Sequence, residues 1–266
     1  MTPSSTLASL RETAQTLTDR AHVPFSDSPT AAVLLLDDGT WIPGVRVESA
    51  SYSLTLPALL NAYTTAVALN RATDVVAFVL SRPFRREESL YVEDLPYGPY
   101  DAWADDVWLK PGTHDDALPA PASACSPALD ATIDSEADGL RATRRLFDTA
   151  YVPSSDFPVA AILETDDGPL IPGVNVEHPD WSRILCAERN ALGTVQSYAL
   201  GSVRRLFLSC EHDAEGTPCG ACRQLLAELA PESVLWMDRH DDAPARTTIS
   251  ALLPGSFRGR ALLNDH

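Results

Sequence analysis

The sequence predicts an α/β protein made of two tandem sandwich domains, each with a central mixed sheet flanked by helices. Three observations carry this expectation. Residues 21–48 (AHVPFSDSPTAAVLLLDDGTWIPGVRVE) and 150–177 (AYVPSSDFPVAAILETDDGPLIPGVNVE) align at a constant offset of 129 without gaps, and 18 of the 28 positions are identical. That makes the chain a tandem duplication. Within each copy, apolar runs of strand length alternate with longer helical segments, the pattern of a sheet covered by helices. Between the copies, 113–137 (THDDALPAPASACSPALDATIDSEA) is rich in Ala, Pro, Ser and Asp and reads as a linker. The predicted domains are therefore 1–112 and 138–266.

Each copy opens on a helical segment, roughly 6–20 (TLASLRETAQTLTDR) and 138–149 (DGLRATRRLFDT). A strand follows (AAVLLL, AAILET), then a DDG turn with the acidic-Gly chemistry of a hairpin, then a second strand ending in VRVE or VNVE. A second helix is expected over about 55–70 and 184–199, and a third strand at 75–81 (VVAFVLS) and 204–210 (RRLFLSC). Only the second copy continues legibly, with a helix at 219–230, a strand at 233–238 (SVLWMD) and a terminal segment through ISALLPGSF.

At 266 residues the chain suits two domains of about 130 residues, and 45% hydrophobic content is ample for packed cores. No apolar run approaches the roughly 18–20 residues of a membrane span. The N-terminal MTPSSTLASLRETAQ lacks a basic head followed by an apolar block, so a soluble cytoplasmic protein is expected. Charge is lopsided, with 37 acidic against 20 basic residues and a formal net of −17. Such a surface repels polynucleotide phosphates, and no basic, aromatic-interleaved patch is visible, so nucleic acid is not an expected partner. Lys110 is the only lysine. An acidic, lysine-poor surface suits work in high salt, where screening removes self-repulsion; a high-GC genome also favours arginine.

Four of the five cysteines (Cys125, Cys186, Cys210, Cys219, Cys222) fall within 37 residues, and clustering without a secretion signal favours metal or catalytic roles over disulfides. Cys125 sits in the linker as a bystander. In PCGACRQLLAEL at 218–229, Cys219 stands at a helix start and Cys222 one turn on, on the same face. A helix N-terminus stabilises thiolates through its free N–H groups, and Cys186 in RILCAERNALG has the same advantage. Three thiolates leave zinc a fourth position, as in a catalytic site. Glu188 cannot share the direction of Cys186 on its helix but can face a water in that position, accept its proton and pass it to a substrate. Arg189 is expected to offset the negative cluster by hydrogen bonding to a ligand sulfur. A closed structural zinc site with His212 or Cys210 as fourth ligand, and plain buried cysteines, stay open at this point.

Cys-Ala-Glu followed about thirty residues later by Pro-Cys-x-x-Cys is the signature of zinc deaminases. Through PSSDFPVAA, IPGVNVE, CAERNA, PCGACRQLL and LLPGSF, the second copy resembles the cytidine deaminases over nearly all of 138–258. The resemblance implies zinc held by Cys186, Cys219 and Cys222. It implies Glu188 as proton shuttle in hydrolytic deamination at C4 of cytidine or deoxycytidine, giving uridine or deoxyuridine and ammonia in pyrimidine salvage. It further implies that Asn175 and Glu177 bind ribose hydroxyls, that Phe157 lines the pocket and that the backbone at Ala187 contacts the base. Phe257 matches an aromatic that reaches a neighbouring subunit's site; Phe157 and Phe257 also admit a reading as plain core aromatics. The segment His178-Pro179-Asp180-Trp181-Ser182 departs from the family pattern beside the ribose end. His178 is expected to be a solvent-facing loop residue, with substrate contact as the alternative, and Ala160 stands where the family has Gly.

At the offset of 129, Pro57 replaces Cys186, Leu59 replaces Glu188, Arg46 replaces Asn175 and Ser28 replaces Phe157, while 90 and 93 (Leu and Glu) fall opposite the C-x-x-C pair. The first copy has no cysteine, so it is expected to bind no zinc, leaving one zinc per chain in the C-terminal domain. Glu48 is retained. Family members form tetramers, or dimers of tandem chains with one degenerate half, which implies a homodimer of four cores here. Two rival readings remain: a deaminase of a modified cytidine or an aminonucleoside antibiotic, and a non-enzymatic zinc-stabilised interaction module.

Overall fold

Ser5 starts the first helix by accepting a hydrogen bond from the Ala8 N–H, and Leu7, Leu10, Ala14 and Leu17 bury one stripe of α1 (Thr6–Leu17). The computed structural model describes residues 5–259 and 262–263. The outermost residues of the two predicted domains (1–4, 260, 261 and 264–266) lie outside the described residues. Strand β1 (Ala31–Leu36) is buried along its whole length, as a continuous apolar run requires, and pairs antiparallel with β2 (Trp41–Val45) across the DDG turn. Helix α2 (Ala58–Ala68) and strand β3 (Val75–Leu80) follow close to their expected positions.

Beyond β3 the first copy contains elements the sequence did not announce: α3 (Arg86–Glu93) and a hairpin of β4 (Asp101–Ala104) and β5 (Val107–Leu109). Its five-stranded sheet, β2-β1-β3-β5-β4, is antiparallel throughout. The linker is held by hydrogen bonds. Ser123 and Cys125 exchange backbone bonds with Trp41 at the first sheet's edge, Trp41 N to Ser123 O and Cys125 N to Trp41 O, and Leu129 N then bonds Leu170 O.

The second copy repeats the order with α4 (Glu136–Arg144), β6 (Val159–Thr165), β7 (Leu170–Val174), α5 (Ala187–Ser197) and β8 (Val203–Cys210). It then runs α6 (Gly220–Leu229), β9 (Val234–Met237), β10 (Ala245–Thr248) and the short α7 (Ile249–Leu252). Here β9 lies parallel to β8, so the sheet β10-β9-β8-β6-β7 is mixed. The two copies diverge where a crossover through α6 returns a parallel strand in one and a hairpin fills the place in the other.

Helices α2 and α5 pack on each other, which explains why all eleven residues of α2 are buried. Thr65 and Thr194, equivalent across the duplication, approach through their hydroxyls at 2.7 Å and mark the pseudo-twofold axis. Asn61 Nδ2 crosses the same seam to Gly193 O at 3.1 Å, and Ser49 Oγ donates to Glu228 Oε1 of α6 at 2.9 Å. The catalytic-type helix is thus braced from behind by its degenerate counterpart.

Gly173 sets how close α5 lies to β7. A Cβ there would stand 2.1 Å from Ala187 O and 2.8 Å from Ala191 N, both backbone atoms of α5 that cannot rotate away. Gly173→Ala is expected to cost about 3 kcal/mol, at the upper end of overpacking effects, and to shift the N-terminus of α5. Denaturant unfolding checks the first effect and zinc affinity the second.

Candidate metal and catalytic site

Cys186 and Cys219 occupy the N-cap positions of α5 and α6, so their sulfurs lie at the ends where backbone N–H groups are unspent. Cys222 is one turn into α6 and fully buried. Two helix N-termini converge, and the Sγ atoms of Cys186 and Cys219 are 3.8 Å apart, those of Cys219 and Cys222 3.5 Å. Zinc–sulfur bonds of about 2.3 Å place the corners of a tetrahedron about 3.8 Å apart, so the three sulfurs are spaced to hold zinc. All three lie within 4.8 Å of one another, and they form the only such group of three potential ligands among the described residues. Neither Cys210 nor His212 belongs to this group among the described residues.

Hydrogen bonds from the neighbouring thiols of Cys186 and Cys222, with the Cys222 and Ala221 backbone N–H groups, push the Cys219 thiol well down. Packed so closely, the sulfurs favour exchanging protons for a cation. Glu188 is 3% exposed and sits in the first turn of α5. Cys222 Sγ lies 3.3 Å from its Oε2, so the carboxylate borders the cluster. Burial raises the Glu188 carboxyl above its ordinary range. Arg189 Nη2 donates to Ile184 O at 3.2 Å and lies 3.9 Å from Cys186 Sγ, which is the contact its sequence position suggests.

The residues expected at the nucleoside end are held by the chain itself. Asn175 Oδ1 accepts from Val159 N at 2.8 Å and its Nδ2 donates to Phe157 O at 2.9 Å, so this amide fastens the Phe157 loop to the end of β7. Glu177 Oε2 accepts from Ser154 N at 2.7 Å and Ser155 N at 3.3 Å, leaving Oε1 without a protein hydrogen bond among the described residues. Glu48 does the same work in the first copy, accepting from the Phe25 and Ser26 N–H groups at 3.0 and 3.2 Å. Its retention there follows from this loop-fastening role, which needs no zinc. Phe157 is half-buried and meets the His212 ring edge-on at 6.3 Å, so it is not a plain core aromatic. Phe257 is 55% exposed and its carbonyl is held by Gln224, so it too lies outside the core. Ala187 is buried, and its backbone N–H stands in the unspent first turn of α5.

His178 differs from expectation. It is 6% exposed rather than solvent-facing, because its ring stacks on Tyr91 of the first copy at 4.9 Å. Its Nδ1 accepts from Asp180 N at 3.0 Å, and Nε2 is buried without a partner among the described residues. Burial lowers the imidazole below its usual 6.5. The unfolded chain therefore binds this proton more readily, so stability is fully present above pH 6.5 and is lost as pH falls toward the folded value. Thermal unfolding of the wild type is expected to fall more steeply below pH 6.5 than that of His178→Phe, which keeps the stack and cannot protonate.

Two supports of the site were missed from sequence. Arg223 clamps the loop before Cys219 through Nε to Pro218 O at 2.7 Å and Nη2 to Thr217 Oγ1 at 2.9 Å. Its position immediately after Cys222 was the available signal. Asn190 Oδ1 accepts from Val174 N at 3.1 Å and ties α5 to β7.

The cytidine and deoxycytidylate deaminase zinc-binding region matches residues 135–237, and a second form of that region matches residues 2–82. A cytidine deaminase of Sporosarcina psychrophila is 35% identical over 116 residues, 43% of this chain and 85% of its own. The chain belongs to the cytidine deaminase family. A cytidine deaminase of Halalkalibacterium halodurans is 38% identical over 109 residues, covering 41% of this chain and 83% of the relative. A solved cytidine deaminase from Burkholderia pseudomallei matches 46% of this chain and 99% of its own at 30% identity, with a TM-score of 0.44. As a cytidine deaminase family member the chain carries a zinc-binding deaminase region in each half, yet the thiol cluster stands in the second alone among the described residues. No helix among the described residues is long and apolar enough to cross a membrane.

Proposed function

We propose that this chain is a zinc-dependent hydrolytic deaminase of cytidine and deoxycytidine, serving pyrimidine salvage, with one zinc per chain in the domain 138–266. The observation that carries it is the trio of sulfurs at tetrahedral spacing with the buried Glu188 carboxylate beside it. Cys186, Cys219 and Cys222 would hold the zinc, which supplies Lewis acidity that makes water a nucleophile near neutral pH. Glu188 takes one proton from the water as its oxygen bonds to C4 and delivers it to N3, then carries the oxygen's remaining proton to the departing amino nitrogen. The C4–N bond breaks, so cytidine and water give uridine and ammonia. Arg189 offsets the charge of the thiolates from behind Cys186.

Phe157 walls the nucleoside, the Ala187 backbone meets the base, and Glu177 Oε1 with Asn175 receives the ribose hydroxyls. The half of the Asn175 amide spent on the Phe157 loop makes this residue a positioning group as well. The domain 1–112 is a non-catalytic partner joined through 113–137.

Repeat-equivalent Tyr52 and Trp181 are 85% and 81% exposed. Two large aromatics standing in water at matched positions, with Phe257, support a homodimer of four cores in which a neighbouring core walls each site. The free thiols suit a reducing compartment, which supports a cytoplasmic enzyme. Ultraviolet-monitored turnover of cytidine, deoxycytidine and cytosine tests the activity; no ammonia from any of them contradicts it. Sedimentation tests the assembly, and a monomeric mass contradicts it.

A further inference from the structure

A cavity of about 300 Å³ lies where the first copy carries the counterparts of the catalytic residues. Arg46, Pro57 and Leu59, which replace Asn175, Cys186 and Glu188, all line it. From the second copy, Arg183, Ile184, Leu185 and Arg189 close the other side. The duplication has lost the metal ligands at this place but has kept the hollow.

The charge on its walls runs against that of the whole protein. Arg46, Arg82, Arg85, Arg183 and Arg189 face it with only Glu87 and Glu88 among the acids, an excess of three positive charges. The chain as a whole carries −17, and these five are a quarter of its 20 basic residues. Part of this charge is neutralised locally. Arg82 grips Glu88 at 2.7 and 2.8 Å, Arg46 pairs with Glu48 at 2.9 Å, and Arg183 pairs with Asp180 at 2.9 Å. Arg85 is exposed and makes no ion pair among the described residues.

The positive excess, with Arg85 unpaired among the described residues, points to an anion. The N-terminus of α2 adds to the field. Pro57 at its cap offers no side-chain bond, and the first helical residues, Ala58, Leu59 and Leu60, line the cavity. The remaining wall is apolar, with Leu56, Leu60, Tyr91 and Leu185.

We propose that this cavity of the first copy is a binding site for a nucleoside monophosphate. The arginines take the phosphate, which suits their forked donors, and the Leu–Tyr wall covers the base. The volume stands at the low end of small-molecule sites, roughly 300–1,000 Å³. The nucleoside half of the ligand rests on the reading of the second copy's equivalent position as a nucleoside site; the phosphate half rests on the arginines alone. Because Arg189 belongs both to this cavity and to the thiol cluster, the bound phosphate lies one side chain from the catalytic-type site.

Calorimetric titration of the zinc-loaded protein at low salt tests this with uridine 5′-monophosphate, uridine and inorganic phosphate. Uridine 5′-monophosphate has no 4-amino group, so no turnover obscures binding. It is expected to bind at least tenfold more tightly than uridine or phosphate. Arg85→Glu, on the surface and harmless to the core, and the conservative Arg46→Gln are each expected to weaken that binding at least tenfold. Absence of binding, equal affinity for uridine and its monophosphate, or affinity unchanged in both variants overturns the proposal. Binding of the monophosphate by a chain that fails to deaminate cytidine would refute the catalytic reading and leave this site standing.

Discussion

Glu188→Gln is expected to keep zinc at the wild-type level and to lower cytidine turnover by about 10³-fold or more, as removal of an essential proton shuttle does. The substitution preserves size, so the buried space beside Cys222 stays filled. It leaves the three sulfurs untouched, and Glu188 is not among the ligand group. What is lost is one oxygen that can accept and return a proton next to the cluster. A non-enzymatic zinc module predicts no change in any rate. Zinc content and initial rate, measured on the same preparation, separate the two. Loss of zinc in this variant would instead make Glu188 a ligand and contradict its placement.

Cys222→Ser should act on the metal itself. Serine fits the fully buried position, but its hydroxyl does not ionise as a thiol does and is a poor zinc ligand. Two thiolates on separate helix ends then remain, and zinc is expected to dialyse away, taking cytidine turnover to background. Because zinc binds only the folded chain, the variant also loses the stabilisation that metal gives the wild type. Thermal unfolding with and without a chelator checks this: the wild type responds and the variant does not. A serine variant that retained zinc and turnover would sink the three-sulfur assignment.

The duplication was legible because identical residues recur at one offset, and it carried most of the fold with it. Helices α2 and α5 begin and end at equivalent positions, and Pro57 and Cys186 both serve as N-caps. The metal cluster was legible for a local reason as well, since C-x-x-C at a helix start fixes two sulfurs within one turn. The remainder of the first copy was not. Strands β4 and β5 have four and three residues, and the first three of β4 are exposed, so no alternation of apolar residues announces them. Strand β10 (ARTT) is hidden for the same reason.

Long-range partners account for the other differences. His178 reads as a loop residue because its neighbours are polar, yet the ring that buries it is Tyr91 from the other copy. Asn175 reads as a ligand contact, while its amide is engaged with the backbone of Phe157 and Val159. The arginines around the first copy's cavity are scattered from 46 to 189, and only folding reveals them as one surface.

One fold occurs twice in this chain, and the proposed division of labour leaves the chemistry to the second copy alone. Zinc counted per chain on a preparation assayed for cytidine deamination tests this most directly. One zinc per chain is expected in the active wild type and none in Cys222→Ser. Two zinc ions per chain, or turnover that survives with none, would contradict it.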